Sequence, residues 1–148
     1  MRQNPKASAT SAAILPAQGA SGDALATYCP DLEQWPVSWM VEARDLPPGQ
    51  QMVECFKPFL RHLVSSGPSR KTLRSHRDNL WILGGEIISK LHEDPRLRKR
   101  PTDQIVLAVL DDEGGPLISH GSEDQQRSFD STCRKFFRFL KERNTEGQ

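Results

Sequence analysis

The sequence predicts an all-α fold: a small bundle of four helices behind a disordered N-terminal tail. Three observations carry that expectation. Apolar residues recur at helical spacing in three stretches, 52–64, 73–91 and 129–140. Breakers separate them: Ser66-Gly67-Pro68, Asp94-Pro95 and Gly114-Gly115-Pro116. The one continuous apolar run, Ile105 to Leu110, finds no convincing second strand to pair with, so it is read as a short buried helix.

Size and composition narrow the classes. The chain has 148 residues, 36% of them hydrophobic, with a mean hydropathy of −0.61. One domain is the expectation, with much of the chain outside its core. No apolar run approaches the ~20 residues of a spanning helix, so no membrane partner is expected. Ala12-Ala13-Ile14-Leu15 is too short for the apolar region of a secretory signal. Cys29, Cys55 and Cys133 are scattered and odd in number, which argues against a disulfide framework and for a reduced, cytoplasmic setting.

Residues 1–30, rich in Ala, Ser, Gln, Gly and Thr, read as the disordered tail. Residues 31–49 form an irregular arm with Trp35, Trp39, Met40, Val41 and Leu46 among prolines. Its aromatics are expected to pack onto the domain, with room for a short helix from Ser38 to Arg44. Pro47-Pro48-Gly49 forces a turn or a helix start. The helical domain spans 50–143, and 144–148 is a disordered end. In its first helix Met52, Phe56, Phe59, Leu60, Leu63 and Val64 share a face, and Pro58 either kinks the helix or opens its main part. Ser69 is a good N-cap for the second, where Leu73, Leu80, Trp81, Gly84, Ile87, Ile88 and Leu91 lie on one side. Gly84-Gly85 costs about 1 kcal/mol per residue against Ala, which implies close approach of another element or a bend. Arg96 to Arg100 is a basic linker, and Thr102 or Asp103 caps the third helix, 104–110. Leu117 and Ile118 tuck back onto the core. Ser122 and Gln125 have capping-box spacing ahead of the fourth helix, whose apolar stripe is Phe129, Cys133, Phe136, Phe137 and Leu140.

The formal net charge is +1, from 20 basic and 19 acidic residues. That total hides an uneven distribution. Residues 67–100 carry nine basic against four acidic, net +5; residues 101–126 carry six acidic and no basic, net −6; residues 127–148 carry six against three, net +3. Such asymmetry speaks to partners and not to fold.

The run Phe59-Leu60-Arg61-His62-Leu63, a turn, then Ser69-Arg70-Lys71-Thr72-Leu73-Arg74-Ser75-His76-Arg77-Asp78-Asn79-Leu80 resembles the opening of the core-binding domain of tyrosine recombinases of the phage-integrase type. Ser131-Thr132-Cys133-Arg134-Lys135-Phe136-Phe137-Arg138-Phe139-Leu140 is similar to that family's last helix. The likeness covers roughly residues 50–143. It implies a SAM-like four-helix domain that clamps duplex DNA with two helices, matching 69–92 and 122–143 here. Family members also carry a catalytic domain with a nucleophilic Tyr. This sequence shows no counterpart after Arg143, and its only tyrosine is Tyr28, in the expected tail, so a non-enzymatic role is expected. The sequence departs from the family at His76, where Tyr is frequent, at Gly84-Gly85-Glu86 and in the Trp-rich arm.

Double-stranded DNA is thus the expected partner, bound through two basic faces. Arg70, Lys71, Arg74 and Arg77 crowd the start of the second helix, with the hydroxyls of Thr72 and Ser75 beside them. Arg127, Arg134, Arg138 and Lys141 lie within roughly 60° of arc on the last helix, with Arg134 and Arg138 best placed for groove entry. The competing reading of each face is a solvated surface. A second function class is a protein-interaction or regulatory module that partners a full recombinase or another protein. The histidines and cysteines lack metal-ligand spacing, and Asp111-Asp112-Glu113 does not supply the converging oxygens a hard cation needs, so no cofactor or metal is expected. No nucleophile and base lie near each other in sequence.

Overall fold

The computed structural model describes residues 24–146; the expected tail lies outside the described residues up to position 23. Among the described residues there are six α-helices rather than four, and no strand longer than an isolated bridge between Asp111 and Gly114. They are α1 (24–28), α2 (Trp35–Trp39), α3 (Leu46–Ser65), α4 (Arg70–Glu93), α5 (Thr102–Ala108) and α6 (Glu123–Glu146). Short 3-10 turns at Leu32–Gln34, Ala43–Asp45 and Pro95–Lys99 join them.

Helices α3, α4 and α6 enclose the centre of the core, as their periodicity predicts. Met52, Phe56, Phe59, Leu60, Leu80, Leu83, Ile87, Phe129 and Phe136 are sealed from solvent. Phe136 is the hub. Its ring stacks on Phe59 at 4.9 Å between centroids and meets Phe56 edge-on at 5.5 Å. Pro58 does not end α3, which runs unbroken from Leu46 to Ser65. The lost hydrogen bond and the ring clash cost about 3 kcal/mol. Burial of Phe56, Phe59 and Leu60 on either side returns about 1.5–3 kcal/mol each. Both expected caps form. Ser69 Oγ accepts the Thr72 amide at 3.1 Å, and Ser122 Oγ accepts the Gln125 amide at 3.1 Å while Gln125 Oε1 accepts the Ser122 amide at 2.9 Å.

Several boundaries differ from the sequence reading. Residues 24–30, assigned to the tail, belong to the fold: Leu25 and Cys29 are buried, and the Tyr28 hydroxyl donates to the Leu73 carbonyl at 2.5 Å. In the arm, the helix is Trp35–Trp39 and not Ser38–Arg44. Pro47 and Pro48 start α3, because proline suits a first turn whose amides lack helical partners. Pro101, not Thr102 or Asp103, precedes α5; Thr102 is a buried residue bonded to the Gln51 side chain. Leu117 is exposed, while Ile118 is half-buried against the core. The helix α6 continues to Glu146, past the boundary drawn at 143.

Two contacts seat the arm. Trp39 lies across α4 where a Cβ on Gly84 would meet its indole Cζ2 at 2.1 Å, and its Nε1 donates to the Trp81 carbonyl at 2.9 Å. Gly84 is therefore a passage for a side chain, the close approach implied by the glycine pair. Trp81, expected in the core, is exposed; its Nε1 donates to Ser38 Oγ at 2.9 Å. At the far end of α4 the Asp45 carboxylate is fully buried. It accepts the Val41 and Glu42 amides, His92 Nε2 at 2.9 Å and Arg98 Nη2 at 2.7 Å. Burial alone would raise its pKa, but these four donors hold it well below the usual carboxylate range. Arg98, read as part of a basic linker, is thus a structural cation.

Gly84→Ala is expected to lower stability by about 1–3 kcal/mol by overpacking against Trp39. Gly85→Ala, whose Cβ would sit 3.6 Å from Trp39 Cδ1, is expected to raise it by about 1 kcal/mol through helix propensity. Urea midpoints read both. Asp45→Asn is expected to cost at least about 2 kcal/mol at pH 7. A carboxylate with a depressed folded pKa stabilises above its ordinary value and loses that contribution as pH falls through the folded value. The gap between Asp45→Asn and the native chain should narrow as pH falls below about 4. Urea titrations across pH check it.

Candidate nucleic-acid interface

The two helices expected to face DNA, α4 and α6, run antiparallel along a polar seam. His76 on α4 meets Thr132 on α6, and three residues further along α4 Asn79 meets Ser128, four residues earlier on α6. Asn79 Nδ2 donates to Thr132 Oγ1 at 2.9 Å and to Ser128 Oγ and the Ser128 carbonyl at 3.1 Å. His76 Nδ1 lies 2.7 Å from the same Thr132 Oγ1. Thr132 and His76 are buried, so these partners set their protonation. The Thr132 hydroxyl accepts from Asn79 and has one proton to give. Its two possible acceptors are His76 Nδ1 at 2.7 Å and the Ser128 carbonyl at 3.5 Å. The contact with His76 is the shorter, and the imidazole tautomer decides which of Nδ1 and Oγ1 donates across it. Burial, and then the nearby Lys135 charge, lower the His76 pKa and keep the ring neutral.

Beside this seam, where α3 ends, lies an open depression of about 300 Å³. Thr72 and His76 line it from α4, and Lys135, Arg138 and Glu142 from α6, over a floor that includes Phe59 and Phe139. Among the described residues, Lys135 and Arg138 form no hydrogen bond or ion pair and are exposed. The Thr72 hydroxyl accepts from Ser69 Oγ at 3.0 Å, which leaves its own proton free.

The ten residues singled out from the sequence fall into distinct groups. Thr72 and Arg138, sixty-six positions apart, share the depression, and Lys71 and Ser75 are exposed on the same stretch of α4. Arg70, Arg74 and Arg77 instead line a groove of about 540 Å³ with Leu73, Val64 and Tyr28. Arg77 is engaged there, donating to the Tyr28 carbonyl at 3.2 Å and pairing with Asp78 at 3.1 Å. Arg127 pairs with Asp124 at 2.5 Å. Arg134 is half-buried and donates to the Glu113 carbonyl at 3.2 Å, so the acidic turn packs beside it, away from α4. Lys141 lies over the Phe137 ring at 5.7 Å. Lys135 was not among the ten. A wheel centred on the side opposite the core passes over it, and only its neighbour α4 reveals that it borders the seam.

The remaining chemistry is structural. Asp111 Oδ1 accepts the Glu113 and Gly114 amides of its own turn. No group of His, Cys, Asp or Glu among the described residues is arranged to hold a metal ion. Burial pushes the Cys29 and Cys133 thiols up to about 12 and Cys55 up to about 11, which makes poor nucleophiles of all three. No helix among the described residues is long and apolar enough to cross a membrane. Set against protein-family models, curated proteins and solved structures, the chain matches none of them.

Thr132→Val keeps the volume but removes the hydroxyl that accepts from Asn79 and bonds to His76. A loss of about 1–3 kcal/mol in urea denaturation is expected, since buried polar groups then lack partners.

Proposed function

We propose that the chain is a non-catalytic DNA-binding module that meets duplex DNA with the exposed face of α4 and α6, in the manner the core-binding likeness implies. The observation that carries the reading is the meeting of Thr72 with Lys135 and Arg138 at one depression, with both cations unpaired among the described residues. An unpaired surface cation keeps its charge available for a phosphate and gains affinity by releasing counterions. Arg127, Arg134 and Arg77, already bonded within the chain, contribute less. The acidic turn stands beside Arg134, so contact is one-sided.

Fluorescence anisotropy with a mixed-sequence duplex over a salt series tests this. The logarithm of the affinity should fall linearly with log salt at a slope near −3 or −4, as about four phosphate contacts imply. Lys135→Ala with Arg138→Ala should flatten the slope by about 2, and Arg134→Ala should change it little. No affinity at low salt, or affinity indifferent to the double substitution, overturns the reading.

One observation favours a second reading, a protein-interaction or regulatory module that partners a recombinase or another protein. Val37, Met40 and Val41 stand exposed on the arm, and Trp81 joins Ser38 beside them. Exposed apolar side chains gathered in one place mark contact surfaces. Co-purification with a partner that survives nuclease treatment and is lost in Val41→Asp would favour it.

A further inference from the structure

We propose that the depression where α3, α4 and α6 meet is a phosphate site, in which His76 Nε2–H, the Thr72 hydroxyl, Lys135 and Arg138 converge on one phosphodiester of a duplex. The inference rests on the DNA-binding reading and names the group that reading would seat here.

His76 sets the site apart from an ordinary basic surface. The residue is only 5% exposed, and Thr132 occupies Nδ1 at 2.7 Å. Nε2 has no partner among the described residues. It is not sealed in the core either: the one sealed, unpartnered side-chain nitrogen among the described residues is Arg98 Nε. With Nδ1 held by Thr132, Nε2 is the ring nitrogen left to serve the depression that His76 lines. An oriented, largely desolvated N–H without an acceptor is a donor awaiting one.

The chain of bonds behind it sets its polarity. Asn79 has only protons to give from Nδ2, so Thr132 Oγ1 accepts from it; we assign the Thr132 proton to Nδ1 at 2.7 Å over the Ser128 carbonyl at 3.5 Å, which puts the ring proton on Nε2. The Thr72 proton is similarly free, because Ser69 supplies the donor between that pair. Four donors from two helices thus face one space, two of them fully charged. A phosphodiester offers two unesterified oxygens with a single negative charge, which suits two cations set against the one carboxylate of the lining, Glu142. His62 also lines the depression and its ring stacks on Phe59 at 6.5 Å, so it forms part of the wall.

Long-range proton–nitrogen NMR of the imidazoles, on the full chain at neutral pH, tests the site. His76 should show the Nε2–H tautomer. Its Nε2 signal should move saturably with inorganic phosphate and stay still with chloride at matched ionic strength. Lys135→Gln with Arg138→Gln, both exposed positions, should leave the melting temperature unchanged and weaken the phosphate response roughly tenfold or more. A 12-base-pair duplex at low salt should move the same signal. An Nδ1–H tautomer, or a His76 signal indifferent to both phosphate and duplex, overturns the proposal. Duplex binding by anisotropy with His76 unmoved removes this site and leaves the DNA-binding reading standing. A saturable phosphate response without duplex affinity keeps the anion site and removes the DNA-binding reading.

Discussion

The indole of Trp39 occupies the space of a missing side chain on α4, and much of the N-terminal half is arranged around that contact. With Gly84 bare, the arm lies flush on the helix, and Trp39 and Trp35 close over Phe56 at 6.3 and 6.5 Å. The aromatic cluster then extends from the arm through Phe56 to Phe136 on α6. Two polar ties finish the seating, Tyr28 to the Leu73 carbonyl on one side and Asp45 to His92 and Arg98 on the other. The helix-propensity loss at Gly84 is small beside the area that Trp39 removes from water.

The two flanks of α6 have opposite characters. Toward α4 it offers Ser128 and Thr132, short hydroxyls that bond across the seam and let the helices approach. On its other side Asp130 and Cys133 take the Gly114-Gly115 turn, where a Cβ on Gly114 would strike Asp130 at 2.4 Å. The backbone of the acidic turn is therefore tied to α6, while Asp111, Asp112 and Glu113 keep their side chains exposed. A formal charge of +1 emerges from a molecule with one basic seam and an acidic turn held away from it.

The three long helices, their caps and the apolar faces of α3 and α6 were legible because periodicity and capping are local signals. The glycine pair announced a close approach without naming the visitor, since Trp39 lies forty-five positions away. Residues 24–30 were missed because two buried residues, Leu25 and Cys29, stand in a stretch of Ala and Thr whose composition says tail. Arg98 could not be told from Arg96 and Lys99 in a basic run; only the buried Asp45 distinguishes it. At the candidate interface, Thr72 and Arg138 were legible as basic-face residues of separate helices. Their meeting, and the part of Lys135, required the antiparallel pairing that His76 and Thr132 fix. His76 had been noted only as a departure from a family pattern.

The ties of the arm share a further property. Trp39 reaches Trp81 across 42 positions, Tyr28 reaches Leu73 across 45, and Asp45 reaches His92 across 47. Each crosses the whole of α3 and lands at a different depth of α4, Leu73 in its first turn, Trp81 at its middle and His92 near its end, so each closes a long loop of its own. The arm is thus tied to α4 by long-range bonds, and it grips α4 from a different side than α6 does. In a polypeptide emerging N-terminus first, Trp35 and Trp39 have Phe56 of α3 to pack on, and the bare Gly84 that receives the Trp39 indole arrives only with α4.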